Sequence, residues 1–97
     1  MYKLLDIKKS SRAGKKWVAV FEDTETGRQK QTHFGASGYQ DYTQSKDPER
    51  ARLYRMRHKK DLETNDPTRA GFLSYFILWA SPNMSRNISE YKKKFNL

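Results

Sequence analysis

Short apolar and β-branched runs separated by polar stretches mark the first third of this chain, and apolar residues recur at helical spacing in its second half. Tyr2-Lys3-Leu4-Leu5-Asp6-Ile7 reads as a short strand. Lys8 to Lys16, with Ser10, Ser11 and Gly14, reads as a loop. Trp17-Val18-Ala19-Val20-Phe21 is aromatic and β-branched, the composition of a strand. Alternation puts Trp17, Ala19 and Phe21 on one face and Val18 and Val20 on the other. Asp23-Thr24-Glu25-Thr26-Gly27 is a hairpin connection, with Gly near its end. Gln29 to Phe34 is the return strand, more polar and so placed near an edge. Gly35-Ala36-Ser37-Gly38 breaks the sheet, and Tyr39 to Thr43 is irregular chain or one helical turn.

Three junctions of one design follow: Asp47-Pro48, Asp66-Pro67 and Ser81-Pro82. Each offers a side-chain acceptor to an unpaired backbone N–H, then a proline where no N–H is needed. They predict helices over about Pro48–Leu62, Pro67–Ala80 and Pro82–Phe95. In the first, Ala51, Tyr54, His58 and Leu62 form one narrow stripe, and Tyr54 and His58 read as stripe residues. In the second, Ala70, Phe72, Leu73, Phe76, Ile77, Leu78 and Trp79 cover nearly the whole circumference. A helix apolar all round is buried or lies at an interface, so this one is the central core helix, or packs in part on another chain. In the third, Met84, Ile88, Tyr91 and Phe95 make one stripe. The expected fold is a single α+β domain over residues 1–97. An antiparallel β-meander of two or three strands (1–34) and an irregular connection (35–46) precede about three helices (47–97).

Composition sharpens this reading. The length of 97 residues allows one domain. Only 35% of residues are hydrophobic and the mean hydropathy is −1.07, yet two Trp, six Tyr and five Phe supply a small aromatic core. There is no Cys, which removes disulfides, zinc-thiolate sites and a Cys nucleophile and fits an intracellular setting or a particle assembled inside a cell. The longest apolar run, Tyr75 to Ala80, is far short of the ~20 residues that span a bilayer. Met1 to Asp6 lacks the apolar stretch of a signal peptide, so neither secretion nor membrane insertion is expected.

Charge adds a partner. The chain carries 20 Lys and Arg against 11 Asp and Glu, a net +9. The excess collects in the segment Lys8–Lys16, the segment Arg50–Lys60 and the tail Lys92-Lys93-Lys94. Such runs also serve solubility, and the tail also suits the negative end of a helix dipole. Three runs in so short a chain point to a polyanion, attracted by counterion release. The expected phosphate contacts are Lys8, Lys9, Arg12, Lys15, Lys16, Arg50, Arg52, Arg55, Arg57, Lys59 and Lys60.

No catalytic constellation is present. His33 and His58 have no metal-ligand spacing to carboxylates, and Asp47 and Asp66 read as caps. Gly35-Ala36-Ser37-Gly38 lacks the Lys and Ser or Thr of a phosphate loop and reads as a turn. The apolar second helix cannot serve as a recognition helix, and the sheet lacks the aromatic pattern of an RNA-recognition motif. Backbone-directed, sequence-indifferent binding is the form that fits, with double-stranded DNA the expected partner ahead of RNA, and with no catalytic residue, metal, cofactor or small-molecule substrate.

The blocks His33 to Thr43, Asp47-Pro48-Glu49-Arg50, Asn65-Asp66-Pro67-Thr68, Ile77-Leu78-Trp79 and Tyr91 to Phe95 carry a resemblance. Over roughly residues 15–95 the chain resembles a family of small uncharacterised basic proteins of large double-stranded DNA viruses of algae and protists. Ser45 stands where that family usually has His, and the lead-in at Thr64 also departs, so no role for a His at position 45 carries over. The resemblance implies a virion or infected-cell setting and no catalytic residues. Two destinations follow: the genome, as a packaging or nucleoid protein, or the shell, as a minor capsid or cement protein. Genome binding predicts that the first two basic segments share one face. Shell contacts with other virion proteins, or with a second copy, predict an exposed apolar patch, with Tyr39, Tyr42 or Phe72 as candidates.

Overall fold

The computed structural model describes residues 1–97. Three strands, β1 (Tyr2–Lys9), β2 (Lys15–Asp23) and β3 (Gln29–Ala36), form one antiparallel sheet in the order β1-β2-β3. The fold is α+β, as the patterning predicts. Ala19 lies opposite Ile7 and Thr32, and Phe21 opposite Leu4 and Lys30, which puts Leu4, Ala19, Phe21 and Phe34 into the core. A bulge between Leu4 and Asp6 brings Ile7 rather than Leu5 back to the core side, leaving Leu5 exposed. Val18 and Val20 take the opposite face and are still buried, because the central strand sets them between Lys8 and His33 and between Asp6 and Gln31.

The loop expected from Lys8 to Lys16 is shorter. Both strands run into it, and only Ser10 to Gly14 turns, with Gly14 at φ +83°. The Ser10 N–H donates to the Lys16 carbonyl at 3.0 Å, and Lys15 N–H to Arg12 O at 3.2 Å. Cations on strand positions that face water do not end a ladder.

Of residues 39–43, read as irregular chain or one helical turn, only Tyr42 and Thr43 are helical, and the turn runs on to Ser45. Helix α1 (Tyr42–Ser45) is capped by Asp41, which accepts from Thr43 N at 2.9 Å, with Gln44 reaching back to the Asp41 N–H. Helix α2 (Pro48–His58) begins at the predicted cap, Asp47, which accepts from Glu49 N and Arg50 N at 3.0 and 3.3 Å. It tightens into a 3₁₀ run over Lys59–Thr64 instead of continuing as α-helix to Leu62.

The other two cap–proline junctions do not cap. Asp66 accepts from the Thr68 N–H at 3.0 Å and its hydroxyl at 2.7 Å, which makes a turn, and the Pro67 carbonyl is taken by the Tyr91 hydroxyl. The central helix therefore starts late, as α3 (Ala70–Leu73), and widens into a π-helical segment over Ser74–Leu78. Ser81 turns its hydroxyl to Asn87, and Asn83 caps α4 (Met84–Lys94), accepting from Arg86 N at 3.0 Å.

The Ala70–Trp79 segment is the centre of the fold. Phe72, Leu73, Ile77, Leu78 and Trp79 are all buried. The sheet covers one side. Tyr91 and Phe95 of the C-terminal portion cover another, in a cluster with Phe72 and Phe76 at centroid distances of 4.8–5.9 Å. The Lys94 ammonium lies 5.5 Å from the Phe76 ring centre, so one cation of the basic tail roofs this cluster. Asn87, which the α4 stripe does not anticipate, is buried and donates to the carbonyls of Ile77 (2.7 Å) and Ser81 (2.8 Å). It ties off the open end of the π segment.

Asn87→Ala leaves the Ile77 carbonyl buried and unpaired. We expect a loss of roughly 1–3 kcal/mol in urea unfolding. The Thr68 hydroxyl bond is the main reason the Asp66 carboxyl lies below its usual range; burial opposes it and Lys30 and Arg69 assist. Stability from this group is full above its ordinary value near 3.9 and is lost as pH falls through the lower folded value. The unfolding midpoint should therefore drop on acidification from about pH 5 to about pH 2, with a shallower dependence in Asp66→Asn.

Candidate nucleic-acid interface

The fold gathers much of the predicted basic set at one end of the sheet. Lys9 ends β1, and Lys15 begins β2 opposite Ala36 of β3. Ser37 N–H donates to the Gly14 carbonyl at 3.0 Å, which ties the β1–β2 turn to residues 35–41. Arg50, in the first turn of α2, donates to the Gln40 carbonyl at 3.2 Å and ties that segment to the helix. Two basic runs far apart in sequence thereby become neighbours.

Between them run two adjoining depressions. One, a cleft of about 330 Å³, lies between α2, the end of β3 and the π segment, with Arg50, Tyr54, Arg57, His58, Leu78 and Trp79 on its walls. The second, about 480 Å³, has Lys9, Ser10, Trp17 and Ser37 on its far side. They share Lys16, Tyr39 and Asp41. Tyr39 is 69% exposed and stands at their junction.

Three rings build one wall of the cleft. Trp79 stacks on Tyr54 with centroids 4.2 Å apart and planes 6° from parallel, and Tyr54 stacks on His58 at 4.1 Å and 23°. Arg55 locks the stack by donating to the Trp79 carbonyl at 2.6 Å, just past the π segment. Burial, and secondarily the Asp61 charge, raise the Tyr54 hydroxyl above its usual pKa, so it remains a neutral donor. Gly35 lies on the floor at φ +81°, where a Cβ would come within 2.8 Å of Leu78 Cδ1.

Lys16 is the buried cation of the site. Its ammonium donates to Asp41 at 2.8 Å and Gln44 at 2.6 Å, with the side chain only 15% exposed. It fastens α1 to the sheet and is not free for phosphate. Arg55 is likewise held by the Trp79 carbonyl. Arg52 pairs with Glu49 at 2.5 Å, and that contact holds the Glu49 carboxyl below its usual range. Lys8, Lys9, Arg12, Lys15, Arg50, Arg57, Lys59 and Lys60 are exposed and make no ion pair. Of these, Lys9, Arg50 and Arg57 line the depressions, and Lys8, Arg12, Lys15, Lys59 and Lys60 do not.

Among the proposed protein-contact residues, Phe72 is corrected: it is 5% exposed, packed on Phe76 and Phe95. The all-round apolar helix needs it inside. Tyr42 is half-buried against the core and Tyr39 is open. Sequence reasoning passed over Tyr54, His58 and Trp79 as lining residues. The available signal was the spacing Arg50, Tyr54, Arg57, which puts two cations beside an aromatic ring on one helix face. No group of three or more His, Asp or Glu is arranged to hold a metal ion, and no helix is long and apolar enough to cross a membrane.

Lys16→Met strips the partner from a buried carboxylate. Chemical denaturation should show a loss of about 3–5 kcal/mol, whereas Arg57→Ala should stay within about 0.5 kcal/mol of the parent.

No curated protein and no solved structure matches this chain. A family model, described as a family of unknown function (DUF5754), matches residues 5–58. That stretch covers β1 beyond Leu4, then β2, β3, α1 and α2, and with them nine of the twelve residues around the cleft, Lys16 to His58. The match spans more than half of the 97 residues, and the chain belongs to this family.

Proposed function

We propose that this protein is a non-enzymatic nucleic-acid-binding protein that follows the phosphate backbone without reading sequence. The observation that carries the reading is the joined pair of depressions at the sheet end. Lys9 from one basic run faces Arg50 and Arg57 from another across a single exposed tyrosine. Cations at separate points of a continuous groove meet successive phosphates, and Arg adds bidentate pairing to phosphate oxygens. Lys8, Arg12 and Lys15 at the same end of the sheet add long-range attraction. The net charge of +9 favours fast encounter with any nucleic acid. The resemblance to proteins of large DNA viruses makes the viral genome, in the particle or in the infected cell, the partner that we favour.

A second reading rests on a different surface. Leu53 and Met56 are 41% and 63% exposed, one helical turn apart on α2. An apolar pair amid cations suits contact with an acidic protein neighbour, as a minor capsid component would make.

Fluorescence anisotropy with labelled DNA of random sequence tests the main reading. Binding should weaken with salt at a log–log slope of about −3 or steeper, and a second sequence should bind equally. The combined variant Lys9→Ala, Arg50→Ala, Arg57→Ala should flatten that slope by about 2–3 units while remaining folded. Unchanged binding by that variant contradicts the groove. Loss of binding below physiological salt moves the assignment to the α2 protein contact.

A further inference from the structure

We infer that the cleft beside α2 takes an unstacked base, which makes single-stranded nucleic acid the preferred ligand; this rests on the nucleic-acid reading above. The groove by itself explains phosphate binding. It does not explain why the cationic channel opens into a concave site walled by rings. A duplex keeps its bases stacked inside and presents phosphates and groove edges, so it has nothing to put into such a cleft. A single strand carries a planar heterocycle beside every phosphate. At about 330 Å³ the cleft is at the small end of ligand cavities (roughly 300–1,000 Å³), with room for a base and none for a paired helix.

The chemistry of the walls fits the same unit. Tyr39 supplies an open ring at the mouth, while Leu78 and the Trp79–Tyr54 stack give an apolar interior. Arg50 and Arg57, seven residues apart on α2, flank Tyr54 and stand where the phosphates on either side of an inserted base would pass. Aromatic platforms beside a cationic track bind single strands with little sequence preference, because every base has a π-face. The geometry is also fixed in advance. The Arg55 bond to the Trp79 carbonyl, the Gly35 close approach to Leu78 and the Lys16–Asp41 pair hold three sides of the cleft without a ligand. The π-helical segment that delivers Trp79 belongs to a rare class of turn often found at functional sites.

The test compares four probes at one salt concentration. They are a labelled oligothymidylate, an abasic deoxyribose-phosphate chain of equal length, a duplex of equal phosphate number, and thymidine monophosphate as competitor. The oligothymidylate should bind about ten-fold or more tighter than the abasic chain and the duplex. Its binding should perturb Trp emission, and Tyr39→Ala, a substitution at an exposed residue, should remove most of that preference while leaving the abasic chain unaffected. Equal affinity for the three polymers overturns base capture and leaves the phosphate groove standing. Competition by the mononucleotide at equal nucleotide concentration also overturns it, marking a free-nucleotide pocket. Binding of none of the probes overturns both readings together.

Discussion

Phe72, Leu73, Ile77, Leu78 and Trp79, five apolar residues pointing several ways from one short segment, must all be buried, and the rest of the molecule is arranged to meet that demand. A chain with 35% hydrophobic residues has few means of doing so. The inner face of a three-stranded sheet covers one side, and the aromatic end of α4 covers a second. The third falls to α2, which has only Ala51, Tyr54 and a few methylenes to offer. Its solution is a ring: Tyr54 lies flat on Trp79. Because α2 touches the core along so narrow a line, its cations other than Arg55 remain in water. The same economy leaves a gap between α2, the end of β3 and the π segment, and that gap is the cleft.

Polar groups finish what apolar ones cannot. The widened turn at Ser74–Leu78 and the chain beyond it leave carbonyls without helical partners, and two side chains reach them, Asn87 from α4 and Arg55 from α2. Lys16 and Asp41 do the equivalent for the segment after β3, which would otherwise have little reason to lie against the sheet. These contacts take up cations that a charge count assigns to a partner. They also fasten the walls of the cleft to one another without a ligand.

Much of the fold was legible in the residues. The aromatic and β-branched run from Trp17 to Phe21 predicts a strand, Asp47-Pro48 a capped helix start and the all-round apolar run from Ala70 to Trp79 a central core segment, and each is found. The failures are local and have physical causes. Asp66-Pro67 and Ser81-Pro82 look like caps, but the Tyr91 hydroxyl, far along the chain, takes the Pro67 carbonyl, and the nearby Asn87 takes the Ser81 hydroxyl. The strand ends at Lys9 and Lys15 were hidden because charged residues give no hydrophobic period. The basic character of the site was legible, and its selection was not: Lys16, Arg52 and Arg55 find intramolecular partners that only the tertiary structure supplies. The aromatic cleft was least legible, since Tyr54 and Trp79 serve as core and lining at once.

The central claim is that one surface, the sheet end with its aromatic cleft, receives the nucleic acid. Titrating isotope-labelled protein with an unlabelled single-stranded oligonucleotide, and mapping shifts of backbone amides and the Trp indole groups by NMR, tests this directly. The account predicts shifts concentrated at Lys9, the 35–41 segment, Arg50, Arg57 and the Trp79 indole, with Leu53, Met56 and the Val18–Val20 face of the sheet unmoved. Shifts centred on Leu53 and Met56, or spread evenly over every cationic surface, contradict it.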